Sequence, residues 1–146
     1  KEYRRQRQMC IRDRTITAQL NGDFTQAKAY EETLAYLQSS PAPDVVYCEN
    51  DNMCFGVMQA LDELGIAYGD GGVTLISFDA GRTALSYCKD GKINLCAECN
   101  PLHGPRVRAL IEQLARGETP EKLSYMPEAL FTADTLTAEL LESRVY

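Results

Sequence analysis

The sequence has one histidine, His103, and no apolar run approaching the roughly 18 residues that a bilayer-spanning helix needs. No segment can therefore cross a membrane as a helix, and any catalytic or metal site has a single imidazole to draw on. Neither G-x-x-x-x-G-K-[ST] nor G-x-G-x-x-G occurs, so no glycine-rich loop opens a helix as a phosphate cradle. The run Gly69-Asp70-Gly71-Gly72 precedes an apolar strand and reads as a turn. Gly-x-Ser-x-Gly is absent, as are internal repeats and low-complexity tracts. The opening residues, KEYRRQRQMCIRDR, have no apolar core of the kind a secretory signal requires.

What is present describes an ordinary globular domain. Of 146 residues, 45% are hydrophobic and 25% charged, with 10 Gly and 6 Pro, which suits one domain with its own core. Charge is uneven. The chain has 15 Lys+Arg and 21 Asp+Glu; residues 1–14 hold six of the basic and two of the acidic side chains, leaving nine against nineteen in the remainder. An acidic body repels phosphate backbones, which argues against nucleic acid as a partner. A basic arm gripping nucleic acid or a membrane would have to act through residues 1–14 alone. The string RQRQMCIRDR resembles the translated adapter-like runs that contaminate assembled environmental sequence. Residues 1–14 are therefore expected to be non-native, with the native domain beginning near Thr15.

Cys10 falls in that segment, leaving Cys48, Cys54, Cys88, Cys96 and Cys99. Cys96-Ala-Glu-Cys99 fits C-x-x-C, but no second C-x-x-C follows, and Pro101 and Gly104-Pro105 push the next helix start downstream. A thioredoxin-type pair starts a helix, whose dipole lowers the thiol pKa. Small buried hydrophobes are the expectation for these thiols, with a disulfide or a metal site as alternatives. An odd count argues against a complete disulfide framework.

From Thr15 the pattern alternates. Thr15–Gln19 is β-prone. Asn21-Gly22-Asp23 turns, and Phe24–Leu37 has apolar residues at three- and four-residue spacing, ended by Ser39-Ser40-Pro41. Val45–Cys48 is an apolar run without polar alternation, as expected of a strand covered on both faces. Asn50-Asp51-Asn52 offers N-caps for a helix over Met53–Leu64, closed by Gly65. A strand over Val73–Phe78, a helix over Thr83–Lys89, a strand over Ile93–Ala97 and a helix over Leu102–Arg116 follow. Leu123–Phe131 reads as extended, and Asp134–Glu142 as a last helix. Strands spaced by helices predict βαβ units: an α/β domain with a doubly wound parallel sheet.

In open parallel sheets, ligands bind beyond the carboxyl ends of the strands. The residues there are Asn21, Asp23 and Phe24; Glu49, Asn50 and Asp51; Phe78, Asp79 and Arg82; and Glu98, Asn100 and His103. A neutral polyol suits this rim. Each hydroxyl donates and accepts, carboxylates accept from two hydroxyls, and Asn does both. Aromatic rings cover the C–H faces of a sugar. Other readings stay open on the residues alone. Asn50 or Asp51 serves equally as an N-cap, Phe24 as core, and Asp79 as a turn cap. Glu98, directly after a buried strand, needs a partner. A Cys99–His103 nucleophile or an Asp79/Glu98 acid–base pair would make an enzyme.

Val45-Val46-Tyr47-Cys48-Glu49-Asn50-Asp51-Asn52-Met53 with Gly56-Val57-Met58-Gln59-Ala60-Leu61 resembles the strand–Asn-Asp–helix signature of type I periplasmic sugar-binding proteins, the substrate-binding subunits of ABC sugar importers. Asn21-Gly22-Asp23-Phe24-Thr25 and Ile76-Ser77-Phe78-Asp79 resemble two further segments of that family, with Ser77 where Gly is usual. Ala97-Glu98-Cys99-Asn100-Pro101 with Gly104-Pro105 is similar to the subgroup that binds galactofuranose and related aldoses. The resemblance runs from about Thr15 to the end.

It implies a Rossmann-like C-terminal lobe over residues 15–146, with an N-terminal lobe of the same protein missing and the sugar held between the two. Phe24 would contact the ring; Asn50, Asp79 and Glu98 would hydrogen-bond hydroxyls, and Asp51 is a weaker candidate for the same role. Gln26 stands where close relatives often have Arg. Leu123–Phe131 would approach the interlobe hinge. The resemblance further implies a monosaccharide ligand and ABC permease subunits as partners. It implies a periplasmic or membrane-anchored extracytoplasmic location with a secretion or lipoprotein signal upstream, and no cofactor, metal or catalytic residue. The effector domain of a lactose-repressor-type regulator shares the fold and is the alternative. It would need a helix-turn-helix that residues 1–14 cannot supply, and Leu136, Leu140 and Leu141 look more like the transporter subgroup.

Overall fold

The computed structural model describes residues 14–146. Residues 1–13, with Cys10 and nearly all of the expected non-native segment, lie outside the described part. Helix α1 spans Gln26–Leu37, β1 Val45–Tyr47, α2 Asp51–Glu63, β2 Thr74–Asp79, α3 Arg82–Lys89, β3 Leu95–Glu98, α4 Gly104–Ala115, β4 Leu130–Phe131 and α5 Ala138–Ser143. The sheet order is β1-β2-β3-β4. The first three strands are parallel, and β4 joins antiparallel through Cys96–Phe131 and Ala97–Leu130. This is the α/β fold with a mostly parallel sheet that the alternating pattern predicts.

Local chemistry sets the boundaries. Thr25 caps α1 by accepting from Lys28 N at 3.2 Å, and Asn50 caps α2 by accepting from Met53 N at 2.8 Å. α2 ends at Leu64, where Gly65 takes φ +66° without the steric penalty of a side chain. Helices α1 and α2 meet backbone to backbone. A Cβ added at Gly56 would lie 2.3 Å from the Gln26 carbonyl oxygen and 2.8 Å from Tyr30 N, so only glycine allows this approach. Beneath them Leu61, Leu75, Leu85, Ile93 and Leu136 are fully buried, together with Cys54, Cys88 and Cys96. Each such aliphatic contributes about 2 kcal/mol of burial. The thiols act as small core hydrophobes.

Three expectations are corrected. Thr15–Gln19 carries no strand and lies mostly exposed. The apolar run of β1 is covered on one face only: Val45 and Tyr47 are 51% and 47% exposed. Likewise β2 alternates, with Leu75 and Ser77 buried against the α2/α3 side and Ile76 and Phe78 half-buried. The physical reason is that α4, the helix following β3, has no buried residue. Within Leu123–Phe131 only Leu130–Phe131 pairs as a strand.

Candidate functional site

The parallel register brings the carboxyl ends of β1, β2 and β3 to one edge. All four non-glycine residues with left-handed backbone among the described residues lie in the two turns at that edge: Asp23 (φ 49°), Phe24 (54°), Asp79 (95°) and Ala80 (56°). Each such residue costs about 1–3 kcal/mol and persists only where its surroundings hold it; such strain clusters at functional sites.

Phe24 immediately precedes Thr25, the cap of α1, and is 62% exposed. Its carbonyl accepts from Asn50 Nδ2 at 3.1 Å. Asn50 thus does two structural jobs, capping α2 through Oδ1 and fixing the Phe24 turn through Nδ2. One N–H and one lone pair remain for a ligand. The N-cap reading of Asn50 holds, and it is compatible with a place at the rim.

Asp51 is placed differently from the ligand role expected of it. It is 8% exposed; Ser77 Oγ donates to Oδ1 at 2.5 Å and Gly81 N donates to Oδ2 at 2.7 Å. Burial pushes its carboxyl above the ordinary range, against those two hydrogen bonds, and the nearby Asp79 charge pushes it further up. It faces inward, tying α2 to the β2–α3 turn.

Asp79 closes β2, is exposed, and its carboxylate accepts no hydrogen bond from the described residues. Only its backbone is engaged, the carbonyl accepting from Cys99 N at 3.3 Å. Glu98 sits directly across from it on β3. Its side chain, 8% exposed, meets three donors: Arg144 Nη1 at 2.7 Å and the Tyr146 hydroxyl on Oε1, and Ala129 N at 3.0 Å on Oε2. Those fill three of about four acceptor positions on a carboxylate. Burial pushes Glu98 up, but the hydrogen bonds from Tyr146 and Arg144 and the guanidinium charge outweigh it and hold the carboxyl below its ordinary value. Burial and the same contact push Tyr146 up to about 12. The partner that Glu98 requires lies within this chain, and three of its acceptor positions are already taken.

Direct contacts therefore run along the whole edge: Phe24 to Asn50, Asp51 to Gly81, and Ala80 through Arg144 to Glu98. Arg144 and Tyr146 carry no motif; the segment after α5 offers no sequence signal that it returns to β3. The C-x-x-C is split, since Cys96 points into the core toward the Ala84 carbonyl while Cys99 is exposed. Neither Cys99 nor the His103 ring has a side-chain hydrogen bond among the described residues, so the nucleophile arrangement does not form here. The glycine-rich turn and a hollow lined by Ile66, Tyr68 and Lys92 lie at the opposite end of the sheet.

A model of the periplasmic binding protein domain matches residues 11–104. Among curated proteins, the galactofuranose-binding protein YtfQ of Escherichia coli (strain K12) is 32% identical over 124 residues, which is 82% of this chain and 39% of that protein. The fructose import binding protein FruE of Bifidobacterium longum (strain NCC 2705) is 29% identical over 102 residues, 70% of this chain and 30% of that one. The chain thus spans less than half the length of the curated relatives it matches. A Mycobacterium smegmatis structure in complex with β-D-fucofuranose superposes with TM-score 0.76 at 32% identity, covering 83% of this chain and 40% of that chain. The periplasmic component of the arabinose ABC transporter from Shewanella sp. ANA-3, bound to α- and β-L-arabinofuranose, gives TM-score 0.77 at 26% identity, covering 90% and 47%.

Proposed function

Because the chain belongs to the periplasmic binding protein domain family, we propose that it is one lobe of the substrate-binding component of an ABC-type sugar importer, a binding protein and not an enzyme. A monosaccharide would lie across the carboxyl edge of the sheet and be enclosed by a second lobe of the same protein. The closed form would deliver it to the membrane permease subunits from the extracytoplasmic side, periplasmic or lipid-anchored. Curated relatives named for galactofuranose and fructose support a carbohydrate ligand and favour import over the repressor alternative.

The observation that carries this reading is the pairing of an open carboxylate, Asp79, with an exposed ring, Phe24, on two strained turns of one edge. Asp79 accepts from two sugar hydroxyls, Asn50 offers its spare donor and acceptor, and Phe24 covers a C–H face. Glu98 and Asp51 support the rim from behind. The edge is open to solvent on this lobe, so its hydrogen bonds strengthen only when a second lobe excludes water.

Calorimetry on the two-lobed protein with a panel of neutral aldoses tests the reading. One sugar is expected to bind saturably, and Asp79→Ala, which removes both of its hydrogen bonds to the sugar, to weaken it at least about 10- to 100-fold, the worth of a single charge-assisted hydrogen bond. In the 146-residue lobe alone, weak binding is expected, seen as amide shifts confined to Phe24, Asn50 and Asp79. No sugar response in either form, or a DNA-binding headpiece encoded upstream, would overturn it.

A further inference from the structure

The strained turn at the tip of β2 is held by a segment distant in sequence. Ala80 is fully buried with φ 56°, so its carbonyl has no access to water. That carbonyl accepts from both Nε and Nη2 of Arg144, at 3.1 and 2.9 Å. The third nitrogen of the same guanidinium, Nη1, pairs with Glu98 at 2.7 Å, and the Arg144 side chain is 12% exposed. The guanidinium lies 4.2 Å from the Tyr146 ring centre and 5.2 Å from that of Phe131. The backbone of the segment completes the hold. Arg82 N donates to the Tyr146 carbonyl at 2.8 Å, and Arg82 Nε to that of Arg144 at 3.0 Å. On the far side Asp51 holds Gly81 N.

We propose that Arg144 is a positioning residue for the sugar site: it clasps the Ala80 carbonyl to Glu98 and so fixes the turn that presents the Asp79 carboxylate to the ligand. This rests on the reading of Asp79 as a sugar ligand. The chemistry demands arginine. A planar fork with donors along two edges reaches a carbonyl on one side and a carboxylate on the other without reorienting, and stacks on aromatic faces. Lysine brings the charge but has three freely turning donors on one atom. Glu98 then acts through Arg144, its carboxylate setting the fork's orientation, and Tyr146 covers both.

Arg144→Lys separates positioning from folding. In the two-lobed protein it is expected to weaken sugar affinity about tenfold while the folded fraction at the assay temperature is unchanged. Hydrogen exchange at the Gly81 and Arg82 amides should quicken more than at the Leu61 and Leu85 amides of the core. Adding Ala80→Gly should recover most of the lost affinity, because glycine adopts left-handed backbone unaided. Unchanged affinity in Arg144→Lys, or a double variant no better than the single one, would overturn the proposal. Asp79→Ala in the same titration checks the underlying reading: no effect there removes the sugar-ligand role of Asp79. The exchange data then judge the clasp alone, with unchanged protection at Gly81 and Arg82 removing it and quickened exchange retaining it as the support of the turn.

Discussion

The tips of β2 and β3 end in carboxylates at register partners on neighbouring strands, Asp79 and Glu98. Their surroundings are opposite. Glu98 is buried among a guanidinium, a phenol and a backbone amide, whereas Asp79 stands in solvent on a left-handed backbone with its oxygens open. Two residues of the same chemistry at equivalent strand positions thus differ in engagement: one secures the edge, while the other has a carboxylate that accepts no hydrogen bond from the described residues and is, in the proposed reading, the one that meets a ligand. What separates them is where the side chains of the segment after α5 go: Arg144 and Tyr146 engage the Glu98 carboxylate, whereas at the β2 tip the segment holds the backbone of Ala80 and Arg82 and leaves the Asp79 carboxylate uncovered.

The largest test of that division is Glu98→Ala. Arg144 would keep its buried charge and lose its partner, a loss of roughly 3 kcal/mol in stability, read as a lowered urea midpoint. Asp79→Asn should do the reverse. Asn tolerates left-handed backbone as well as Asp does, so stability should stay within about 0.5 kcal/mol. Sugar affinity should fall by about 1.5 kcal/mol in calorimetry as the charge-assisted bonds become neutral ones. An unfolding defect in Asp79→Asn, or none in Glu98→Ala, would break the comparison. Tyr146→Phe removes one hydroxyl donor from Glu98 and should cost about 1 kcal/mol in thermal unfolding, leaving the Arg144 contacts in place.

The smallest effect is a pH signature with two signs. Glu98 titrates below its ordinary value when folded, so its contribution is present above the ordinary carboxylate range and is lost as pH falls through the folded value. Asp51 titrates above its ordinary value, so its contribution is present below the ordinary aspartate range and is lost as pH rises through the folded value. Melting temperatures across the acid range should therefore lose less on acidification in Glu98→Gln than in the parent. In Asp51→Asn the gain on mild acidification should disappear.

Much of this was readable from neighbours in sequence. Asn50 lies immediately before an apolar-periodic run, so its capping of α2 follows from local chemistry, as does the stop at Gly65. The order of strands and helices follows from apolar runs set between turn residues, and the strand-end rule then points at Phe24, Asn50, Asp79 and Glu98. Contacts that close over long distances were not readable. Tyr146 reaches Glu98 across 48 positions, and nothing in the local pattern of either residue announces it. From sequence Asp51 reads as a rim residue because a helix start faces both ways; Ser77, buried on β2, draws it inward. The apolar run at Val45–Tyr47 shows that a strand wants cover, not how much cover it receives. Thr15–Gln19 has β-prone residues but pairs with no strand among the described residues.

The four sulfhydryls sealed beneath the sheet, Cys48, Cys54, Cys88 and Cys96, turn the core into a chemical clock. An alkylating reagent should modify Cys99 at once and reach the others only during transient opening, so their labelling rates would map opening across the α/β core. Cys54 and Cys88 lie on different helices, α2 and α3, and whether they react together or in turn would tell whether those helices let go as a unit.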